Sequence, residues 1–329
     1  MYTLPMPIKR IREFIKRNER FASPVALFVG FVLDNFTLTR IDLWFDNIIL
    51  FSYLMIAGVG IALVQLYQNN VIRGFFIKKT ASYLPLLIQF AFGGLFSGYF
   101  IFYSRSASFT ASWFFIILLL ALLIGNEFFR KHYRGLVFQV SIFYFALFSF
   151  TIFYIPVIVG SMGAWIFLLS GLVSLVIISV ILFVFSRMMS EVFRKKGKLL
   201  KLSIGTIFVL INVLYFTNII PPIPLSLKDS GVYYFVSKVE SGNYVVRSEV
   251  KKWYEFNIGS KKFHHVRGGS VYVYSAVFAP TDLNTNIFHS WQYYDDKKQK
   301  WIVASEIEFP IVGGRDGGYR GYSFKESIA

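Results

Sequence analysis

The sequence contains no cysteine, and it is poor in acidic residues. Its 329 residues include 34 Lys and Arg but only 18 Asp and Glu. The absence of cysteine excludes disulfide bonds and thiolate chemistry, so each domain must be held together by its core alone. The sequence also lacks a His-Glu-x-x-His pattern and a nucleophile elbow. We therefore predict no catalytic constellation, no metal site and no cofactor.

Long apolar runs are what the sequence has in abundance. Hydrophobic residues make up 55% of the chain, and phenylalanine alone supplies 38 residues. A run of about 20 apolar residues crosses the hydrocarbon core of a bilayer as a helix. The runs predict about seven transmembrane helices, at about 21–43, 48–67, 83–103, 110–126, 137–159, 163–186 and 202–220. The first run contains Pro24 and is predicted to be either a short or tilted span or a re-entrant segment.

Basic residues between the runs predict the orientation in the membrane. Eighteen Lys and Arg fall in the N-terminal segment and in alternate connections on one side, whereas the other side has only Arg40 and Arg105. Such an excess marks the cytoplasmic side. We therefore predict a multi-pass protein with a cytoplasmic basic amphipathic segment at 1–20 and an extracytoplasmic C-terminal domain. Contact with the lipid bilayer explains the positive charge, so no nucleic-acid partner is predicted.

Polar residues within or near the predicted spans are candidates for an intramembrane site. They are Asp34, Glu127 and Gln139. One interpretation is a path for a substrate or an ion. The other is that the amides form hydrogen bonds between helices and that Glu127 lies at the interface beside Arg130. We favour the second, because no series of acids and bases is typical of a proton relay and no internal repeat is evident.

A proline-rich connector at 221–228 ends the apolar part of the chain. Beyond it, polar and apolar residues alternate as in strands, which are predicted at 232–239, 244–256, 271–280, 286–294 and 301–311. In the third, Ser275 and Val277 are predicted to share one face, and Tyr274 and Ala276 the other. The predicted fold is an α-helical polytopic membrane domain followed by a small all-β antiparallel sandwich-like domain over 229–329.

The connector and the C-terminal domain carry motifs that resemble a known family. The motifs are Asn218–Lys228, Val277–Pro280, His289-Ser-Trp291, Lys300-Trp301 and the glycine- and arginine-rich string Ile307–Ser323. They closely resemble the domain of unknown function 2914 family in its membrane-anchored form. The resemblance implies a bacterial envelope protein in the cytoplasmic membrane, without an established activity. It also implies a further strand after the equivalent of Ser323, so we expect the sheet to be incomplete, with an edge liable to pair.

The glycine-rich string contains the first candidate ligand site. Arg315 and Arg320 would clamp an anionic envelope ligand through their forked donors. The alternative is a connection that needs positive φ angles, with Asp316 bonded to local amides or to an arginine. The string lacks the Gly-Lys-Ser/Thr ending of a phosphate loop and no helix follows it, so nucleotide binding is not predicted. Between the clamp and the connection, we favour the connection.

Aromatic residues on the later strands form the second candidate site. His289, Trp291 and Trp301, with Tyr293, would provide a platform on which a sugar ring stacks. The alternative, which we favour, is half-core and half-surface packing, because aromatic residues prefer strands anyway. His264 and His265 are adjacent and would point to opposite faces of a strand, so they predict a solvated loop rather than a metal site.

These observations favour a binding protein over an enzyme. The leading hypothesis is a polytopic membrane protein whose extracytoplasmic β domain binds an envelope component or a partner protein. The ligand classes considered are an envelope glycan, an anionic ligand and a membrane protein. The alternative hypothesis is a transporter, or an enzyme that modifies an envelope polymer, with its site in the transmembrane helices.

Overall fold

A computed structural model of the chain describes most, but not all, of its residues. The described ranges are 29–38, 43–72, 83–106, 109–128, 135–220, 225–240, 243–249, 263–265, 268–279, 284–312 and 318–326. The predicted basic segment at 1–20 and the three prolines of the connector lie outside these ranges. The chain divides into two compact units. Within the described ranges, the first holds the residues up to Ser104, Phe114–Ile152 and Ser170–Ile219, and the second holds the remainder.

The described residues contain seven helices. They are α1 (29–37), α2 (Trp44–Gln68), α3 (Leu84–Ser106), α4 (Phe109–Phe128), α5 (Leu136–Val159), α6 (Ala164–Met188) and α7 (Ser190–Phe216). All except α1 and α4 are long and apolar enough to cross a membrane, and α4 has a shorter apolar stretch at Ser112–Asn126. The helical membrane-type region is thus confirmed. A total of seven spans remains a prediction.

The exposed surface of α6 shows why this region belongs in an apolar solvent. Only 28% of its most apolar stretch is buried inside the protein, against 72% for α5. Large apolar side chains along α6 are exposed, including Leu172, Val176, Val180 and Phe183. A continuous apolar surface of this kind is unfavourable in water and is compatible with contact with lipid.

Glycines and tyrosines set the packing of the helices in the first unit. A Cβ atom on Gly60 of α2 would lie 2.7 Å from the Ile88 side chain of α3, so only glycine permits this approach. Tyr99 and Tyr103 of α3 donate hydrogen bonds to the carbonyls of Ala146 (2.8 Å) and Ser149 (3.2 Å) of α5. A small residue at this position and hydrogen bonds between helices are the contacts that hold apolar helices together.

The second unit contains an antiparallel β region, as predicted. Its strands are β1 (Ser226–Tyr233), β2 (Phe235–Lys238), β3 (Tyr244–Arg247), β4 (Val271–Phe278), β5 (Asn284–Asp295), β6 (Lys300–Val312) and β7 (Tyr319–Lys325). They form a three-stranded sheet in the order β1-β4-β7 and two hairpins, β2-β3 and β5-β6. All these pairs are antiparallel.

The central strand β4 is covered on both faces. Tyr274 and Ala276 pack in a cluster with Val236 of β2. On the opposite face, Val277 packs with Ile311 of β6. The predicted alternation along this strand is confirmed, because successive side chains of a strand point to opposite faces. The β region therefore has three thin layers, with a hairpin on each side of the central sheet.

Two boundaries differ from the sequence-based expectation. The connector was predicted to reach residue 228, but β1 begins at Ser226, because Ser226 and Leu227 pair with the end of β4. The glycine-rich string was interpreted as a connection, yet its last five residues, Tyr319–Ser323, belong to the strand β7, which pairs with β4. Gly318, just before β7, has a φ of +80°, so the expected positive φ occurs there. Pairing with β4 outweighs the weak strand propensity of the glycines.

Candidate functional site

The β5-β6 hairpin ends in a well-defined turn. The Asp295 carboxylate accepts hydrogen bonds from the backbone N–H groups of Lys297 (2.9 Å) and Lys298 (3.1 Å). Gln299 takes a φ of +49°, and the Tyr294 hydroxyl donates to its side-chain oxygen at 3.2 Å. An aspartate that bonds the next amides is a common way to stabilise a turn. These hydrogen bonds give the tip a defined conformation.

An aromatic pair stands on this ordered tip. Tyr294 and Trp301 are directly opposite each other in the hairpin. Their ring centroids are 5.5 Å apart at 67°, an edge-to-face arrangement. Trp301 is 65% exposed and the neighbouring Tyr293 is 52% exposed. We call Tyr293, Tyr294 and Trp301 the tip aromatics.

The middle of strand β5, in the same hairpin, holds a polar cluster around His289. Its Nε2 lies 2.7 Å from the Ser275 hydroxyl of β4, and its Nδ1 lies 2.9 Å from the Ser323 hydroxyl of β7. The indole N–H of Trp291 also donates to Ser323, at 3.1 Å. The His289 ring contacts Phe309 edge to face at 4.6 Å. The cluster therefore links the hairpin to the central sheet.

The hydrogen bonds of this cluster have a structural role. Burial lowers the pKa of His289, so the imidazole is neutral at neutral pH and has one donor and one acceptor nitrogen. Two serine hydroxyls satisfy both nitrogens. A Ser-His pair that activates a nucleophile needs a third group to orient the histidine, usually a carboxylate. Here that position is taken by Ser323, so the arrangement suits a polar link between sheets.

The structure separates the residues of the predicted aromatic platform. His289 and Trp291 are half-buried and point towards the central sheet, where they share Ser323. Trp301 lies at the other end of the hairpin beside Tyr294. The favoured alternative of half-core packing therefore applies to His289 and Trp291. The serine partners follow from strand pairing, which the spacing in the sequence does not reveal.

Only one of the predicted residues in the glycine-rich string is described. Arg315 and Asp316 lie outside the described ranges. Arg320 is exposed on β7, opposite Ala276 of β4. Its backbone carbonyl accepts a hydrogen bond from the Tyr244 hydroxyl at 3.2 Å. This places Arg320 on the face of the sheet that packs against β2-β3, away from His289.

The intramembrane candidates have separate surroundings. Gln139 of α5 is fully buried, and its side-chain oxygen accepts a hydrogen bond from the Gln65 amide at 2.6 Å. The interpretation of amides bonded between helices is therefore confirmed for Gln139. The Glu127 side chain lies outside the described residues. Asp34 of α1 lines a cavity of about 490 Å³ within the first unit.

The adjacent histidines have separate hydrogen-bond partners. His264 Nδ1 lies 2.6 Å from the Glu249 carboxylate, and His265 Nε2 lies 3.0 Å from the Gly269 carbonyl. The hydrogen bond from His264 lowers the pKa of Glu249. Within the described part of the chain, no three His, Asp or Glu residues are grouped in a way that would hold a metal ion.

Comparisons with known proteins found no relative of this chain. No family model, no curated protein and no solved structure matches it. The resemblance to the domain of unknown function 2914 family therefore stays a prediction, and the function has to be argued from the sites themselves.

Proposed function

We propose that this is a multi-pass protein of the bacterial cytoplasmic membrane, and that its β domain binds an envelope component or a partner protein on the extracytoplasmic side. The orientation is supported by the eighteen basic residues on one side of the predicted spans against two on the other. The long apolar helices with exposed apolar surface support the membrane location. The family resemblance adds the bacterial envelope to the proposal.

The observation that carries the binding role is the exposed Tyr294–Trp301 pair on an ordered turn. Tyrosine and tryptophan supply much contact area and a polar edge while losing little side-chain entropy on binding. The turn bonds of Asp295 keep the backbone in place, so less ordering is required when a ligand binds. The turn itself is charge-balanced, because Asp295 and Asp296 precede Lys297 and Lys298 and the Lys298 ammonium lies 3.9 Å from the Asp295 carboxylate, so the aromatic pair rather than charge carries the proposal.

Because the chain has no cysteine, a single introduced thiol can test the role of the tip. A Lys297→Cys variant carries the only thiol in the chain. We expect a membrane-impermeant maleimide to label it from the extracytoplasmic side, because the proposed orientation places the tip there. A thiol-attached photo-crosslinker at the same position should then capture the ligand in cells. Digestion of the adduct with a glycan hydrolase or with a protease identifies the ligand class.

The matched variants test whether the tip aromatics make the contact. Adding Trp301→Ala or Tyr294→Ala should reduce the adduct about tenfold, as for a binding hot spot. The control is Phe288→Ala, which is 52% exposed on the same hairpin and about 20 Å from Tyr294 at ~3.3 Å per residue. Labelling by a permeant reagent alone would overturn the orientation. An adduct unchanged by Trp301→Ala would overturn the role of the tip.

A second candidate function has its site among the helices, as in a transporter or an enzyme that modifies an envelope polymer. The observation that favours it is the cavity beside Asp34, since a carboxylate within an apolar helical array is costly unless it has a role there.

A further inference from the structure

The cavity beside Asp34 is lined by α1, α2, α3 and α4. Its volume is about 490 Å³, which is the size of a small-molecule site. The polar groups that line it include Asp34, Tyr53, Gln89, Ser97 and Asn126. Asp34 is near enough to Tyr53 and Ser97 to interact electrostatically with both. The cavity therefore combines one acidic group with several neutral polar ones.

Glycines on two helices line the cavity. A Cβ atom on Gly94 would lie 2.5 Å from the Tyr53 ring, so the ring occupies its position only because residue 94 has no side chain. Gly30 of α1 also lines the cavity, and a Cβ atom there would have no neighbour within 4 Å. A side chain at position 30 would therefore project into open space.

The charge of the described lining favours a cation over an anion. No lysine, arginine or histidine lies among the lining residues that the structure describes. The Asn126 amide nitrogen donates to the Gln89 backbone carbonyl at 2.9 Å, and the Gln89 amide nitrogen donates to the Asn126 carbonyl at 3.4 Å. These donors are used between α3 and α4, so they do not form an anion-binding surface. The remaining charge in the lining is the carboxyl group of Asp34.

Aromatic rings border the same space. Tyr53 and Phe90, which both line the cavity, are 5.7 Å apart in an edge-to-face arrangement. Ring faces attract cations, and the attraction is larger where water is excluded. A carboxyl group beside aromatic rings is the chemistry that recognises an alkylated ammonium group.

We propose that the cavity binds a small organic cation bearing an ammonium group, with Asp34 as its counter-ion. The cation offsets the cost of an acidic side chain among apolar helices. Tyr53 and Phe90 contact its alkyl groups. This inference deepens the second candidate function and is independent of the binding role of the β domain.

The test uses the full chain in lipid nanodiscs, with choline as the probe. Its neutral isostere 3,3-dimethyl-1-butanol has the same shape without the charge. We expect saturable binding of choline at millimolar concentration or below by calorimetry, and binding of the isostere weaker by about tenfold or more, a difference of about 1.4 kcal/mol. Choline that does not bind, or binds no better than the isostere, would overturn the proposal.

Two variants test the charge of Asp34 and the free volume of the cavity separately. Asp34→Asn keeps the volume and removes the charge, and Gly30→Phe keeps the charge and adds a bulky ring to the lining of the cavity. Each should weaken choline binding by about tenfold or more. The control is Gly205→Phe on α7, where a Cβ atom also has no neighbour within 4 Å; it should bind choline normally. Normal binding by either test variant would show that choline binds elsewhere and would overturn the proposal.

The calorimetric experiment measures binding without transport or turnover. The cation site and the transporter hypothesis can therefore fail separately. If choline binds through Asp34 but does not cross a proteoliposome membrane, the transporter hypothesis fails and the cation site stands. If choline is transported by the Asp34→Asn variant as well as by the original chain, the cation site fails and transport stands.

Discussion

The two units differ in which side chains are buried and which are exposed. On α6 of the first unit, large apolar side chains are exposed, whereas Gln65 and Gln139 are buried and bonded to each other. In the second unit, β5 and β6 expose charges such as Glu306 and Glu308. There a half-buried polar cluster around His289 joins a hairpin to the central sheet.

This difference teaches that burial alone does not define a core. In water, apolar residues gather inside because their exposure is unfavourable. Lipid removes that driving force, so packing and hydrogen bonds between helices become more important. The exposed valines of the two units look alike in accessible area, but their surroundings are predicted to differ. Substitutions can therefore test the comparison directly.

The largest effect is expected from a lysine on the exposed face of α6. Val176 is 54% exposed there, and Val245 on β3 is 52% exposed. Val176→Lys should cost about 3 kcal/mol of membrane insertion. Val245→Lys should change stability by no more than about 0.5 kcal/mol, as at an ordinary surface site. The fraction of each variant that resists carbonate extraction from membranes measures the difference. Equal fractions for the two variants would show that the surroundings of Val176 and Val245 do not differ.

An intermediate effect is expected at the bond between Gln65 and Gln139. We predict a coupling free energy of about 0.6–1.7 kcal/mol, the range measured for side-chain hydrogen bonds between membrane helices. A double-mutant cycle of Gln65→Leu, Gln139→Leu and the double variant measures it, with unfolding followed in detergent micelles. Strictly additive losses would show that this bond does not stabilise the helices, contrary to the role assigned to it.

The smallest effect is a pH dependence in the β domain. Burial lowers the pKa of His289, so the unfolded chain takes up a proton at a higher pH than the folded one. This contribution to stability is fully present above about pH 6.5, the unfolded value, and is lost as the pH falls from there through the lower pKa of the folded state. Protease susceptibility of the domain should therefore rise as the pH falls below about 6.5.

Two histidine variants sharpen this prediction. His289→Gln should flatten the pH dependence, because the amide does not titrate. His264→Gln serves as the control, since His264 lies on the exposed surface beside Glu249 and not in the cluster. If the pH dependence is unchanged in His289→Gln, it arises from another titrating group.

Sequence patterns predicted the regular elements better than the sites. The long apolar runs indicated the helices, and alternation along β4 indicated which side chains share a face, because both periods are local properties of the chain. The strand β7 was missed, since the glycine-rich string that precedes and enters it argues against a strand, and pairing with β4 outweighs this. The aromatic platform was predicted from neighbours in sequence, and it divides because the hairpin separates Trp291 from Trp301.

The sequence by itself determined the change of solvent along the chain, because apolar runs and loop charges act through composition alone. It also determined the absence of disulfides. Only the tertiary structure decided that Asp34 borders a cavity with Tyr53. It likewise decided that His289 bonds two serines and that Trp301 stands exposed beside Tyr294. These contacts join residues far apart in the sequence or on opposite strands, and packing rather than local propensity brings such residues together.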